Sequence, residues 1–371
     1  MNQPTCQQRG RIPLTDCART EVAIIGAGPA GLAAACACRR RHLDALVLDR
    51  KGLAQSVVEY PQCLRFFSPP DEMEIDGIPL PVAGGEKPTR ETYLAYLRGV
   101  ARFAGLKLAT WEAVETCERL PDGGFLLHTA CRPAGSGKRR IRCRAIILAT
   151  GVWHTPVSLN CSGSDRDNVI SEFHEPTPFF GQDVLVVGGG NSAVGAALSL
   201  MEAGARVRLS MRRPPKDYRS GLRPYVRRNL GFAVEEERVE LLANTRVIEI
   251  GADYVTLRPV QYKGSEDLSE GVDADYEITG HPFRVPCRFV FSLIGHRPDR
   301  LFFENVFGLP TRTGGRPRAS RSTWETDVPG IFVAGSLADE SLDVVLKMRR
   351  QAADVVDGIQ QRLRPLHQRE R

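Results

Sequence analysis

Apolar residues in this chain gather in short unbroken runs that stop at glycine, and two such runs open the same kind of unit. Glu21-Val22-Ala23-Ile24-Ile25 stops at Gly26; a small-residue segment from Pro29 to about Arg40 follows, then a second run from Leu43 to Asp49. A continuous apolar run bounded by glycine predicts a strand buried on both faces, as in a parallel sheet. The small-residue segment predicts a helix, and strand–helix–strand is the opening of a doubly wound sheet. The order recurs at Asp183–Val187, with a helix from about Ser192 to Ala203 and a strand from Arg206 to Met211. Between the two units, Phe125–Thr129 and Ile141–Leu148 read as strands joined through a Pro133–Gly137 turn. Beyond the second unit, Arg288–Leu293 and Gly330–Ala334 read as buried strands. Strands on both sides of the second unit predict that the first domain is discontinuous.

The glycines at the ends of the two opening strands carry the chemistry. Gly26-Ala27-Gly28-Pro29-Ala30-Gly31 fits G-x-G-x-x-G. There the first glycine makes a tight turn, the second lets backbone approach a pyrophosphate, and the third lets helix and strand pack closely. Asp49 ends the next strand, about 20 residues on, where an acid accepts the ribose hydroxyls of an adenine dinucleotide. Gly188-Gly189-Gly190-Asn191-Ser192-Ala193 has the G-x-G-x-x-A form, but its second strand ends in Arg212-Arg213. Arginines at that place suit the 2′-phosphate of NADP. Two dinucleotide sites in one chain pair NADPH with a flavin, so FAD on the first and NADPH on the second are the expected cofactors. The expected fold is α/β, with two Rossmann-like three-layer dinucleotide-binding domains and the NADPH domain inserted into the FAD domain. The expected boundaries are a loose arm over 1–19, the FAD domain over 20–160 and 288–360, the NADPH domain over 161–287, and a basic tail over 361–371.

Composition narrows the class. Of 371 residues, 42% are hydrophobic and 25% charged, the profile of a globular chain. No apolar run approaches the roughly 18 residues of a membrane span and no signal pattern opens the chain, so a cytoplasmic protein is expected. The net charge of +6 comes from short arginine clusters without interleaved aromatics. That pattern suits anionic small molecules rather than nucleic acid. Ten cysteines at irregular spacings predict reduced thiols, and with no C-x-x-C there is neither a zinc ribbon nor an adjacent redox dithiol. No metal site is expected.

The first fingerprint, Ala149-Thr150-Gly151, the central G-G-G-N-S-A and Ile331-Phe332-Val333-Ala334-Gly335 together resemble the thioredoxin-reductase-like flavoproteins. Within them the chain is most similar to the YpdA-type bacillithiol disulfide reductases. That likeness rests on Tyr60-Pro61 before Phe66-Phe67-Ser68, on Lys87-Pro88-Thr89-Arg90, on Ile294-Gly295-His296-Arg297-Pro298-Asp299 and on Thr323-Trp324-Glu325-Thr326. The resemblance implies that Thr150 and Gly151 form a hinged crossing between domains and that Gly335 and Ser336 lie along the ribityl chain. It places Gln55, Ser56 and Tyr60 along the flavin, and a helix start at Arg350-Gln351-Ala352 facing the isoalloxazine. It also implies an NADPH site that includes Gly295. Three departures stand out. Thioredoxin reductases carry a C-x-x-C before the central fingerprint, where this chain has Ile170–Glu175. YpdA-type proteins carry a cysteine at the position of Ala30. The acid usual after the late A-G is Ser336 here, a swap for a non-acid that YpdA-type proteins share.

An NADPH-dependent flavoprotein oxidoreductase that passes hydride to FAD and then to a disulfide is the expected function. Its partner would be a small-molecule disulfide or a small redox protein, and a homo-oligomer, a dimer, is expected. The alternatives are a flavin-dependent monooxygenase and a thiol-free ferredoxin or flavodoxin reductase. Cys63, in the loop after the ribose strand, is the candidate thiol relay. Lys347, ahead of the helix that faces the flavin, is the candidate cation for anionic reduced flavin. His174 and His296 are candidate proton donors.

Overall fold

The computed structural model describes residues 17–62, 64–132, 137–212, 222–262, 276–312, 314–339 and 345–363. The expected N-terminal arm and basic tail, Cys63 and Arg213 lie wholly or mostly outside them. The chain divides into two compact units, one of Met1–His154 with Pro298–Arg371 and one of Thr155–Arg297.

In the first unit, β1 (Ala18–Arg19) and β2 (Val22–Ile25) precede α1 (Pro29–Arg40), β3 (Ala45–Asp49) and the short helices α2 (Gln55–Val58) and α3 (Pro70–Met73). Helix α4 (Arg90–Phe103), β4 (Lys107–Thr110), β5 (Glu112–Arg119), β6 (Phe125–Cys131), β7 (Lys138–Cys143) and β8 (Ala145–Leu148) follow. The second unit holds β9 (Thr155–Pro156), β10 (Val169–Ile170), β11 (Asp183–Val187), α5 (Asn191–Glu202), β12 (Arg206–Met211), α6 (Pro224–Glu235) and β13 (Val239–Ala243). It continues through β14 (Thr245–Ile250), β15 (Tyr254–Tyr262), β16 (Tyr276–Ile278), β17 (Phe283–Pro286), β18 (Phe289–Ser292) and β19 (His296–Arg297). The chain then completes the first unit with α7 (Arg300–Phe307), β20 (Ile331–Val333) and α8 (Val345–Leu363). No helix among the described residues is long and apolar enough to cross a membrane.

The first unit has a parallel sheet ordered β20–β8–β2–β3–β4. Its strands β20, β8 and β2 are apolar and buried throughout because both faces are covered, whereas the edge strand β4 begins at the exposed Lys107. Val22 and Ile24 of β2 belong to a core with α1 and α8, whereas Ala23 and Ile25 belong to a core with Phe125, Leu127 and Ile141 of the antiparallel strands. That gives helix, parallel sheet and antiparallel sheet as three layers. The second unit repeats the plan with a parallel sheet ordered β10–β18–β11–β12–β13. Leu185 and Val187 of β11 there share a core with Val247, Val255 and Leu257 of its antiparallel strands.

Two expectations change. The predicted strand over 141–148 is two strands in two sheets. Lys138–Cys143 alternates in burial and Ala145–Leu148 is wholly buried, so one suits a one-faced antiparallel sheet and the other a sheet covered twice. The chain changes sheet at Arg144, where Arg144 N and Ala145 N both donate to Glu21 O at 2.9 and 3.1 Å. The strand near 288–293, grouped on sequence with the first domain, pairs in parallel with β11 and β10 of the second unit. Its apolar pattern marks a buried strand but does not say which sheet receives it. At the ends of the second unit, Thr155 pairs with Arg297 and Pro156 with His296.

Candidate functional site

The first fingerprint is a turn between β2 and α1 in which each glycine does something different. Gly26 has φ +113°, and a Cβ there would lie 2.3 Å from Ala149 O. A Cβ on Gly31 would lie 1.9 Å from Gly26 O. At Gly28 the nearest heavy atom to an added Cβ is Ser56 Oγ at 3.9 Å. The first and third positions are therefore closed by packing, while the space over the second is open. Gly28 is the N-cap of α1, Pro29 supplies N1, no side chain caps the helix and its first turn holds no acid. Pro29 removes one donor that would be orphaned in any case. The remaining free N–H groups and the positive end of the helix dipole face the open space.

Asp49 braces this turn. Its Oδ2 accepts from Ala27 N at 2.7 Å and its Oδ1 from Lys51 N at 2.8 Å. Ala54 N donates to Ala27 O at 3.0 Å, which carries Gln55 and Ser56 at the start of α2 to the same loop. Gln55 Nε2 donates to Glu59 Oε1 at 3.2 Å. Tyr60 meets Trp153 edge-on at 5.5 Å and Phe66 at 6.0 Å, and burial holds its hydroxyl pKa above the ordinary tyrosine value.

Gly151 and the late turn close on the fingerprint. A Cβ on Gly151 (φ +69°) would lie 3.9 Å from Ser336 Oγ, and one on Gly335 (φ +70°) would lie 2.6 Å from Ala30 Cβ. Thr150 is exposed. Ala30, which is 9% exposed, thus sits directly beneath the Gly335 turn. Gln351 does not start a helix: it lies within α8, as does Lys347, which is exposed. Gln351 is also committed inward. Its Oε1 accepts from Gly335 N at 2.7 Å and its Nε2 donates to Val333 O at 3.3 Å, so it staples the late turn to α8 with Ala352 buried beside it.

The second fingerprint matches the first. A Cβ on Gly188 (φ +140°) would lie 2.4 Å from Leu293 O and 2.9 Å from Ala193 Cβ, while one on Gly190 would meet no atom within 4 Å. Gly190 is the N-cap of α5, which has no side-chain cap and no acid in its first turn. Ser192 is exposed and Ala193 fully buried. Asn191 Oδ1 accepts from Arg223 N at 2.9 Å, which draws the start of α6 to this loop. Gly295 has φ +103° with open space over its Cα, and its carbonyl accepts from Val157 N at 2.9 Å. Each turn thus leaves a cradle that a Cβ at its second glycine would fill, as a dinucleotide pyrophosphate requires.

A cluster that pattern reading missed lies beside Asp49. Arg50 Nη1 is 2.8 Å from His154 Nε2, which is 2.9 Å from Asp299 Oδ2. Asp299 Oδ1 caps α7 by accepting from Phe302 N at 3.1 Å. Burial, then the charge of Arg50, lowers the His154 pKa. The N-cap position of Asp299 before an apolar run was the available signal.

Seven of the described thiols offer little. Burial pushes Cys36 up to about 11, Cys38 and Cys117 to about 12 and Cys287 to about 11. It also raises Cys131, Cys143 and Cys161. Such thiols stay protonated and unreactive at neutral pH. Of the candidate proton donors, His174 is exposed beside Glu172 at 3.2 Å, and His296 sits in the β9–β19 ladder.

Comparison with known proteins agrees with this geometry. A family model described as pyridine nucleotide-disulphide oxidoreductase matches residues 23–335. The bacilliredoxin reductase Bdr of Bacillus subtilis (strain 168) is 29% identical over 315 residues, covering 85% of this chain and 89% of that protein. A ferredoxin–NADP reductase of Paracidovorax citrulli (strain AAC00-1) is 27% identical over 327 residues, covering 85% and 82%. The solved structure of the bacillithiol disulfide reductase Bdr (YpdA) from Bacillus cereus superposes with a TM-score of 0.81 at 27% identity, covering 93% of this chain and 99% of that one.

Proposed function

Since the chain belongs to the pyridine nucleotide-disulphide oxidoreductase family, we propose that it reduces a disulfide at the expense of NADPH. It is an NADPH-dependent flavoprotein oxidoreductase, and its cofactors are FAD and NADPH. The finer reading concerns which turn holds which cofactor and what the electrons reach. NADPH gives up a hydride, the S–S bond of the acceptor breaks, and two thiols form with one further proton from water. FAD, when bound, supplies the two-electron carrier between donor and acceptor.

The observation that carries the reading is the pair of glycine turns, each open only over its second glycine and each facing an uncapped helix start. The first is assigned to FAD through Gly26, Gly28, Pro29, Ala30 and Gly31. Asp49 keeps carboxylate lone pairs free beyond its two backbone bonds to accept ribose hydroxyls. Gln55, Ser56, Tyr60, Thr150, Gly151, Gly335, Ser336 and Ala352 shape the flavin's surroundings, and Gln351 acts by fixing Gly335. The second turn is assigned to NADPH, with Gly188, Gly190, Asn191, Ser192, Ala193 and Gly295 at the nucleotide and Arg212 and Arg213 at the 2′-phosphate. Cys63 is the proposed thiol for the disulfide, and Lys347 the proposed cation on α8.

The acceptor is proposed to be a low-molecular-weight disulfide or the disulfide of a small redox protein, the class named for the bacilliredoxin and bacillithiol disulfide reductases. A second reading has its own observation. Ala30 occupies the floor of the Gly335 turn, and the buried thiols described are held protonated. An enzyme without a thiol relay suits transfer to an iron–sulfur or flavin protein, as named for the ferredoxin–NADP reductase relative. Anaerobic bleaching by NADPH followed by mixing decides between them. Colour returning with a disulfide, and two thiols appearing per NADPH, supports the first. Colour returning only with ferredoxin overturns it in favour of the second.

A further inference from the structure

Strand β12 and the residue after it carry three arginines whose surroundings differ. Arg206 pairs with Asp183 at 2.7 Å, and Arg208 pairs with Glu240 at 2.8 Å and Asp183 at 3.6 Å. Both charges are neutralised at the start of the sheet. Arg212, just past the end of the strand, is exposed, and no carboxylate among the described residues pairs with it. Its contact is with an aromatic face instead: its Cζ lies 5.1 Å from the ring centroid of Tyr276.

The fold sets both partners firmly. Gly188 N donates to Ser210 O at 3.0 Å, so Arg212 emerges two residues beyond a bond to the second glycine turn. Tyr276 arrives from the antiparallel layer of the same unit. It opens β16, which pairs with β15 through Gln261 and Glu277. Val260 N of β15 donates to Asn244 O at 2.8 Å, at the end of β13, and β13 pairs with β12 through Ala243 and Met211. A continuous hydrogen-bonded path therefore fixes the ring opposite the arginine.

We infer that Tyr276 is a positioning residue that presents Arg212 to the 2′-phosphate of NADPH, and so sets part of the preference for NADPH over NADH. This rests on the assignment of Arg212 to that phosphate. An exposed arginine spreads over many rotamers and loses that freedom when it grips a ligand. A guanidinium resting on a ring has lost part of it beforehand, and because the ring is not a hydrogen-bond acceptor in the manner of a carboxylate, its charge stays available for an anion. The tyrosine hydroxyl is not needed for this; the ring is.

The test is calorimetric binding to the full-length chain of two fragments, adenosine 2′,5′-bisphosphate and adenosine 5′-monophosphate, which differ in the 2′-phosphate. Tyr276→Ala is expected to weaken the bisphosphate by about two- to five-fold and to leave the monophosphate unchanged, which also reports that the site is folded. Tyr276→Phe is expected to bind both as the wild type does. Equal weakening of both fragments by Tyr276→Ala, no weakening of the bisphosphate, or failure of Tyr276→Phe to restore it, overturns the inference. Arg212→Ala separates this from the underlying reading. If it brings the bisphosphate near the monophosphate while Tyr276→Ala does nothing, only the role of Tyr276 fails. If bisphosphate binding survives Arg212→Ala, the phosphate assignment itself fails and the inference falls with it.

Discussion

Replacing the second and third glycines of the first fingerprint should separate folding from cofactor binding. Gly28 has φ −79° and ψ −177°, a backbone that any residue adopts, and only Ser56 Oγ at 3.9 Å lies near an added Cβ. Gly28→Ala and Gly28→Val therefore fit the chain without FAD. Loss of unfolded-chain freedom favours Gly28→Ala by about 0.4–1 kcal/mol, and a poorer N-cap costs a comparable amount. Apoprotein stability should stay within about 1 kcal/mol of wild type. The new side chain nonetheless occupies the space over the helix start. Each charge-assisted N–H bond to phosphate that it prevents is worth about 1.5–3 kcal/mol, so FAD affinity should fall by about ten- to a hundred-fold per bond. Gly31→Ala is the opposite case. Its Cβ would stand 1.9 Å from Gly26 O, so helix and strand must part and the apoprotein itself should be destabilised. Denaturant melts of the apoprotein, together with FAD titration followed by flavin fluorescence, measure both quantities. Gly28→Val that binds FAD as tightly as wild type, or Gly31→Ala that folds normally, would refute this account of the turn.

Three further outcomes are expected. Gln351→Leu leaves the buried Gly335 N–H without its acceptor and should cost about 1–3 kcal/mol in denaturant unfolding; an unchanged midpoint and unchanged FAD affinity would show that the staple is idle. Cys63→Ser should keep NADPH-driven bleaching of the flavin in stopped flow and lose turnover with a disulfide; loss of bleaching would make the thiol part of hydride delivery. Buried Cys36 and Cys38, raised from 9.0 to about 11 and 12, stay protonated in the folded chain while the unfolded chain ionises. Stability should therefore be intact below pH 9 and fall as pH rises from there toward 11 and 12, and Cys36→Ala/Cys38→Ala should flatten that fall.

Both βαβ openings were legible because continuous apolar runs and glycine turns leave few options. Helix α1 and strands β11 and β12 fall where the sequence puts them. The antiparallel layers were harder. Lys138-Arg139-Arg140-Ile141-Arg142-Cys143 buries alternate residues, and when it runs straight into Ala145–Leu148 the two periods merge into one apparent strand. Membership of a sheet was also invisible: Phe289–Ser292 has the same texture as β20, yet the two belong to different units. Several residues of the segments singled out for their likeness to one subfamily serve the scaffold. Thr89 caps α4 by accepting from Thr92 N at 3.2 Å, Glu325 Oε1 accepts from Gly330 N at 2.7 Å ahead of β20, and Asp299 caps α7. At the site, sequence pointed to the glycines but not to the inward turn of Gln351 or to Arg50, His154 and Asp299, which are far apart along the chain and meet only in the fold.

The short β9–β19 ladder bears on how such a chain can assemble at all. Strand β20 pairs with β8 in parallel, yet the whole of Thr155–Arg297 lies between them in sequence. A flexible excursion of that length would charge the first unit a large loop-closure entropy before β20 could dock. Pairing of Thr155 with Arg297 and Pro156 with His296 changes what the first unit has to close. Once the contiguous insert has folded, its two ends are already side by side, and the remainder meets it as a tight hairpin rather than a long loop. The insert is translated before β20 and α8 and can fold before them, so that they arrive from the ribosome into a nearly closed gap. A chain in which Thr155–Arg297 is replaced by a two-residue turn should, by the same entropy, still let β20 find β8.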